Sequence, residues 1–137
     1  ISCGITGPIS GRTCGITTDM LALGGHDNWR LPTISELRSL IRECPATETG
    51  GSCGVTDICL ARGCWDGGCA GCSNLGGPGA GGAYWPPGLR GMVYWYWSSS
   101  FYTRGAAYAC FVGFHYGVVS TSVKENPYYV RCVRPGP

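Results

Sequence analysis

The sequence predicts one α+β domain dominated by loops, with two short helices ahead of an antiparallel sheet and disulfides stapling the whole. Three observations carry that prediction. Ten cysteines and 24 glycines in 137 residues, with only 13% charged residues, describe crosslinked loops more than a large regular core. A capping signal followed by apolar residues at helical spacing stands at 33–44. The last third is a series of aromatic and β-branched runs separated by turn residues.

Taken in order, residues 1–13 read as a strand or turn segment, where Cys3-Gly-Ile-Thr recurs as Cys14-Gly-Ile-Thr, too briefly to define a solenoid. Thr18 to Leu23 predicts a short helix that starts near Thr18 or Asp19 and ends at Gly24-Gly25. The main helix is expected over Ile34 to Cys44. Thr33 is its N-cap and Glu36 completes a capping box, with Leu31 and Pro32 folding back on Leu37. Ile34, Leu37, Leu40, Ile41 and Cys44 form its apolar face; Arg38, Arg42 and Glu43 form the polar one, and Pro45 ends it.

Residues 44–82 read as a Cys- and Gly-rich loop insertion. Six cysteines (Cys44, Cys53, Cys59, Cys64, Cys69 and Cys72) sit among Gly, Thr and Asp, so covalent closure must fix a stretch that buries little. Gly76 to Gly82 is read as ordered loop because Tyr84-Trp85-Pro86-Pro87 follows closely. Strands are expected at Tyr94–Ser99, Ala106–Phe114, Val118–Val123 and Tyr128–Arg134, with turns at Phe114-His115-Tyr116-Gly117 and Glu125-Asn126-Pro127.

The cysteines run from Cys3 to Cys132 in even number, which places all ten, Cys110 included, in disulfides and the chain in an oxidising compartment, secreted or at the cell surface. Connectivity does not follow from sequence; the expected pairs are Cys14 with Cys132 and Cys44 with Cys53. A zinc site on Cys59, Cys64, Cys69 and Cys72 is disfavoured, because only one Cys-x-x-Cys knuckle is present. The chain opens on Ile1, which reads as a processed product or a fragment, and it holds no signal peptide and no apolar run of membrane-spanning length.

A net charge of +2 without a basic stripe excludes a nucleic-acid binder. Arg90, Arg104, Lys124, Arg131 and Arg134 could at most form a weak glycosaminoglycan patch. Neither His26 nor His115 lies in a catalytic or metal motif, and no phosphate loop opens a helix, so no enzyme is expected. No cofactor is expected. A structural calcium on loop carbonyls with Asp27, Asp57 or Asp66 stays open, with turn and capping duty the favoured role for those residues.

What remains is a surface argument. Tyr and Arg combine contact area with hydrogen-bonding tips, and aromatic rings stack on sugars. Tyr102, Arg104, Tyr108, His115 and Tyr116 are the candidate ligand-binding residues, with Tyr102, Arg104, His115 and Tyr116 expected at the surface and Tyr84, Trp85, Trp95 and Trp97 in the core.

Three blocks in order, Gly24-Gly25-His26-Asp27-Asn28-Trp29-Arg30-Leu31-Pro32-Thr33, Tyr96-Trp97-Ser98-Ser99 and Val130-Arg131-Cys132-Val133-Arg134, resemble the Lcl C-terminal-domain family, also described as a Fibrobacter succinogenes major paralogous domain. The resemblance runs from about Cys14 to Arg134. It implies a C-type-lectin-like fold, distantly similar to formylglycine-generating enzymes, in exported bacterial proteins that bind carbohydrate or act as adhesins. Trp29, Arg30, Thr33, Glu36, Trp97 and Arg131 are then structural motif positions. The calcium-dependent sugar motifs of C-type lectins are not matched, since Glu125-Asn126-Pro127 has the wrong order. Cys110 and Cys132 do not match the paired active-site cysteines of the formylglycine-generating enzymes. The expected function is a non-catalytic, calcium-independent, adhesin-like domain for an extracellular glycan or a surface protein. A structural subunit of a surface assembly, with homo-oligomers, is the first alternative. A retroelement-diversified receptor-binding protein is the second, since Ser98 to Val123 holds no Lys, Glu, Gln, Met or Trp.

Overall fold

The computed structural model describes residues 28–101 and 107–134. At its centre is a three-stranded antiparallel sheet, β1 (Trp95–Phe101), β2 (Tyr108–Gly113) and β3 (Val118–Val123), in the order β1-β2-β3. One helix, α1 (Ile34–Arg38), and three short 3-10 turns at Arg62–Cys64, Gly67–Ala70 and Ala80–Gly82 are the helical pieces among the described residues. The α+β class is as expected. The segment 1–13 and the helix expected at Thr18–Leu23 lie outside the described residues.

Both faces of the sheet are covered, so the period-two alternation of its strands divides two cores rather than core from solvent. Tyr96, Cys110, Val112, Phe114 and Val119 join Ile34, Leu37, Ile41, Trp85 and the cysteine loop in one cluster. Trp97, Ala109 and Phe111 join Trp29, Leu31, Val130 and Cys132 in the other. Trp29 is therefore buried away from α1, and Leu31 serves the second cluster rather than stapling onto Leu37.

Helix α1 starts where the capping box places it. Thr33 Oγ1 accepts from Glu36 N at 3.2 Å, and Glu36 Oε1 accepts from Thr33 N at 2.9 Å. Glu36 also receives both Nη atoms of Arg30, at 2.6 and 2.9 Å, which fixes the chain ahead of the cap. The helix ends at Arg38, six residues before the expected Cys44. Leu40 and Ile41 tighten into i→i−3 bonds, Arg42 N leaves for Tyr84 O, and Glu43 turns at φ 62°. Ile34, Leu37, Ile41 and Cys44 still face the core, so the apolar spacing describes burial correctly while the helix itself is unwound.

Arg38, expected on the polar face, is 3% exposed. Its Nε donates to Thr47 O, its Nη1 to Cys53 O and Val55 O, and its Nη2 to Glu48 O. Burial lowers its pKa, opposed in part by the charge of Asp66. The guanidinium thus takes the place of a strand partner for a loop that has none.

Three bridges close that loop: Cys44–Cys72, Cys53–Cys69 and Cys59–Cys64. The expected Cys44–Cys53 pair is not formed. Cys53 meets the start of the loop through its backbone, donating to Ala46 O, and its side chain turns to Cys69. Cys132 is also disulfide-bonded, while its expected partner Cys14 lies outside the described residues. Cys110 is buried on β2 and belongs to none of the three bridges. Bridges of this density fit an oxidising compartment.

The three sequence blocks meet at one junction. Arg30 and Val133 exchange both backbone hydrogen bonds at 2.8 Å. Ser99 N donates to Pro32 O and Ile34 N to Ser100 Oγ, across an irregularity in β1 where Ser98 Oγ reaches Cys110 O. Tyr129 bridges β1 in parallel at Tyr96, so only Tyr129 and Val133 of the expected strand Tyr128–Arg134 pair. Arg131, 3% exposed, lies over the rings of Trp85 and Tyr96 and donates to Arg90 O. Trp97 Nε1 donates to Asn126 O at 3.1 Å.

Two outcomes follow from these contacts. Arg38→Met strands four loop carbonyls and lowers the unfolding free energy of the oxidised protein by about 3 kcal/mol or more. Arg38→Lys recovers only a minor part, because an ammonium cannot span the same acceptors. Guanidinium titration reads both. The Arg30 guanidinium holds the Glu36 carboxyl down at about 2, below its unfolded value, so its stabilisation is full above pH 5 and lost as pH falls toward 2. With both side chains partly exposed, solvent screening leaves about 1 kcal/mol or less. Denaturant curves of wild type and Glu36→Gln, separated at pH 6, should converge by pH 2.

Candidate functional site

The candidate site forms where four loops converge on the start of β1. The chain leaving the cysteine loop supplies Asn74 and Leu75, the glycine loop supplies Gly81, the lead into β1 supplies Gly91 to Trp95, and the β2–β3 turn supplies His115 and Tyr116. Together they line an open groove of about 660 Å³. Beyond the Tyr94–Trp95 pair lies a second groove of about 280 Å³, walled by Pro127, Tyr128 and Tyr129.

Each wall is held by backbone. Leu75 N donates to His115 O and Cys72 N to Tyr116 O, both at 2.7 Å, so the cysteine loop is pinned on the β2–β3 turn. Two glycines allow the approach. Gly117 (φ 66°) would place a Cβ 3.0 Å from Cys44 Sγ, and Gly71 (φ 85°) would place one 2.4 Å from Tyr116 O. The glycine loop closes on itself through Gly77 N to Gly82 O and Gly79 N to Ala83 O. It lies against Ala83, Tyr84 and Trp85, the residues that follow it.

The aromatic side chains form a connected shelf. Tyr94 and Trp95 stack at 5.8 Å, Trp95 stacks on Tyr128 at 5.4 Å, and Tyr94 on Tyr129 at 6.3 Å. His115 meets the Trp95 ring edge-on at 4.8 Å and Tyr116 at 4.6 Å. Tyr94, Trp95 and Tyr116 remain between 37% and 44% exposed. His115 is buried and its Nδ1 has no hydrogen-bond partner among the described residues; desolvation lowers its pKa, which favours the neutral imidazole.

The five candidate ligand residues separate. Tyr116 is exposed at the groove, as expected. His115 lines it but is buried, against expectation, because the shelf rings close around it. Tyr108 is exposed at the opposite end of β2, paired with Val123, near Phe101 and Lys124. Tyr102 and Arg104 lie outside the described residues. Trp95, expected in the core, is a principal surface ring. It shares a strand face with buried Trp97, and only its place at the strand end exposes it, which alternation alone does not reveal.

Of the residues of the candidate basic patch, Arg131 is buried, Lys124 sits over Phe101 and Arg134 over Trp29, while Arg104 lies outside the described residues. Asp57 accepts from Ser35 N and Asp66 from Gly68 N, the capping duty favoured for both. No helix among the described residues is long and apolar enough to cross a membrane.

The model of the Lcl C-terminal domain matches residues 12–134. The chain belongs to that family. Neither a curated protein nor a solved structure matches it. In this Lcl C-terminal domain, Trp29, Arg30, Thr33, Glu36, Trp97 and Arg131 all lie in the junction, its cap or its packing, whereas the groove is lined by residues outside that set.

The groove depends on the bridge nearest the turn. Replacing Cys44 and Cys72 together by Ala removes about 3–4 kcal/mol by loop-closure entropy for a separation of 28 residues. The Cys59–Cys64 bridge, closing 5 residues, is worth about 2 kcal/mol on the same basis. Hydrogen exchange should show the amides at position 72 and Leu75 losing protection in the first variant and keeping it in a Cys59→Ala/Cys64→Ala variant.

Proposed function

We propose that this domain is a non-catalytic, extracellular binding module of C-type-lectin-like arrangement whose aromatic shelf takes uncharged carbohydrate without calcium. The observation that carries the reading is the shelf itself. Tyr94, Trp95 and Tyr116 present partly exposed rings fixed by ring and backbone contacts around an open groove. Such rings stack on the apolar faces of sugars while hydroxyl and amide tips meet the sugar hydroxyls.

The chemistry of the lining narrows the ligand. Calcium needs several carboxylate or carbonyl oxygens, and no Asp or Glu among the described residues lines either groove. No Lys or Arg among the described residues lines them either, which favours a neutral glycan over a sulfated one. Among the described lining residues no Ser, Cys or carboxylate stands with the His115 imidazole, and the reading is one of binding without catalysis. A short helix, crosslinked loops and a closing antiparallel sheet support the lectin-like arrangement.

A structural role in a surface assembly is the second reading, favoured by Ile58, which stands 98% exposed at the tip of the Thr56–Cys59 turn. A retroelement-diversified surface draws no support from the sheet, where Ala109 to His115 is buried throughout.

A glycan array probed with the oxidised domain, with calcium and with chelator, should give chelator-insensitive binding to neutral glycans. Trp95→Ala should weaken it by about ten-fold or more. Silence on neutral glycans, with self-association that grows with concentration, would shift the assignment to the structural reading.

A further inference from the structure

The two grooves share Tyr94 and Trp95, so the shelf is a ridge between them rather than the wall of one pocket. We propose that they form one continuous site for a linear, uncharged oligosaccharide, with successive sugar residues seated on either side of Trp95. This rests on the carbohydrate reading above and states which form of carbohydrate the site takes.

Three features carry it. The first is continuity. Trp95 stacks on Tyr128 on one side and meets His115 edge-on at 4.8 Å on the other, so its indole is braced from both grooves. A ring held in this way serves ligand on both flanks without repacking, and a preformed site spares the ordering cost of binding.

The second is the spacing of the rings. Tyr94 to Trp95 and Trp95 to Tyr128 are 5.8 and 5.4 Å apart, with interplanar angles of 24° in both pairs. Together the three rings make one continuous apolar surface longer than a single sugar ring. A single sugar would use one groove and leave the aromatic surface of the other in water.

The third is the uniform absence of charge along the run. From Asn74 and Leu75 at one end to Pro127 and Tyr129 at the other, the described residues of both linings include no Asp, Glu, Lys or Arg. A charged chain would lose hydration along the whole length with no opposite charge to replace it, whereas the hydroxyls of a neutral one lose far less.

The test is calorimetric titration of the oxidised domain with neutral hexose oligomers. Two probe series, β-linked glucose and β-linked N-acetylglucosamine, run from one to six units, beside whichever neutral glycan the array identifies and its own fragments. Affinity should rise by about ten-fold or more between the monosaccharide and the tetrasaccharide. Pro127→Ala alters the smaller groove away from Trp95, and Tyr128→Leu alters it together with a ring that Trp95 stacks on. Both should flatten that rise, and Pro127→Ala should leave the weak monosaccharide affinity in place, with thermal melts confirming folded protein. Trp95→Ala should weaken every member of the series. A monosaccharide binding as tightly as its tetrasaccharide, or tetrasaccharide affinity unchanged in both small-groove variants, overturns the extended site and leaves the carbohydrate reading standing. No binding of any glycan by folded protein overturns both.

Discussion

The described fold depends on one buried cation. The stretch from Cys44 to Cys72 has no strand and only two 3-10 turns, so its carbonyls have few regular partners. Arg38 supplies them from the last position of α1, with four of its five N–H donors satisfied by Thr47, Glu48, Cys53 and Val55. A buried charge is costly in isolation. Here the oriented carbonyls stabilise it, and it in turn fixes where the loop crosses the helix. The disulfides then restrict the unfolded chain, whereas Arg38 specifies the folded path. The distinction matters because covalent closure alone is compatible with many loop conformations.

That path leads directly to the groove. Cys44–Cys72 delivers the chain to the β2–β3 turn, where Cys72 and Leu75 donate to the carbonyls of Tyr116 and His115. The wall of the site is thus an extension of the Arg38 network by one disulfide and two hydrogen bonds. The opposite wall depends on a different device. The junction of Arg30 with Val133 and of Pro32 and Ile34 with the serines of β1 sets the position of the first strand, from whose start Tyr94 and Trp95 project. The two devices act from opposite sides of the sheet and meet at the shelf.

This explains which parts of the molecule could be read from its sequence. The cap at Thr33 and Glu36, the turn at 114–117 and the strand Val118–Val123 were legible because each is decided by residues close in sequence. Arg38 was not, because a long polar residue on a helix reads as solvated unless its acceptors are known, and those lie 9 to 17 positions away. The helix length failed for a related reason: Arg42 N is claimed by Tyr84 O, a contact that only the tertiary structure supplies. At the site, Tyr116 was legible as a turn residue, while Trp95 was hidden in a run of aromatics. Four rings in succession show that some must be surface, and not which.

The family-specific residues and the groove residues are largely different sets, and their physics differs accordingly. Arg30, Thr33, Glu36 and Arg131 each complete a hydrogen bond, ion pair or ring contact within the fold, so few other residues would serve. Tyr94, Trp95, Tyr116 and Pro127 border open space and make mainly ring contacts, so their identities can change without unmaking the junction. A scaffold defined by satisfied polar contacts, carrying a surface defined by exposed rings, separates stability from recognition. Family membership therefore fixes the frame, and the proposed ligand must be argued from the rings, their spacing and the uncharged described lining of the shelf.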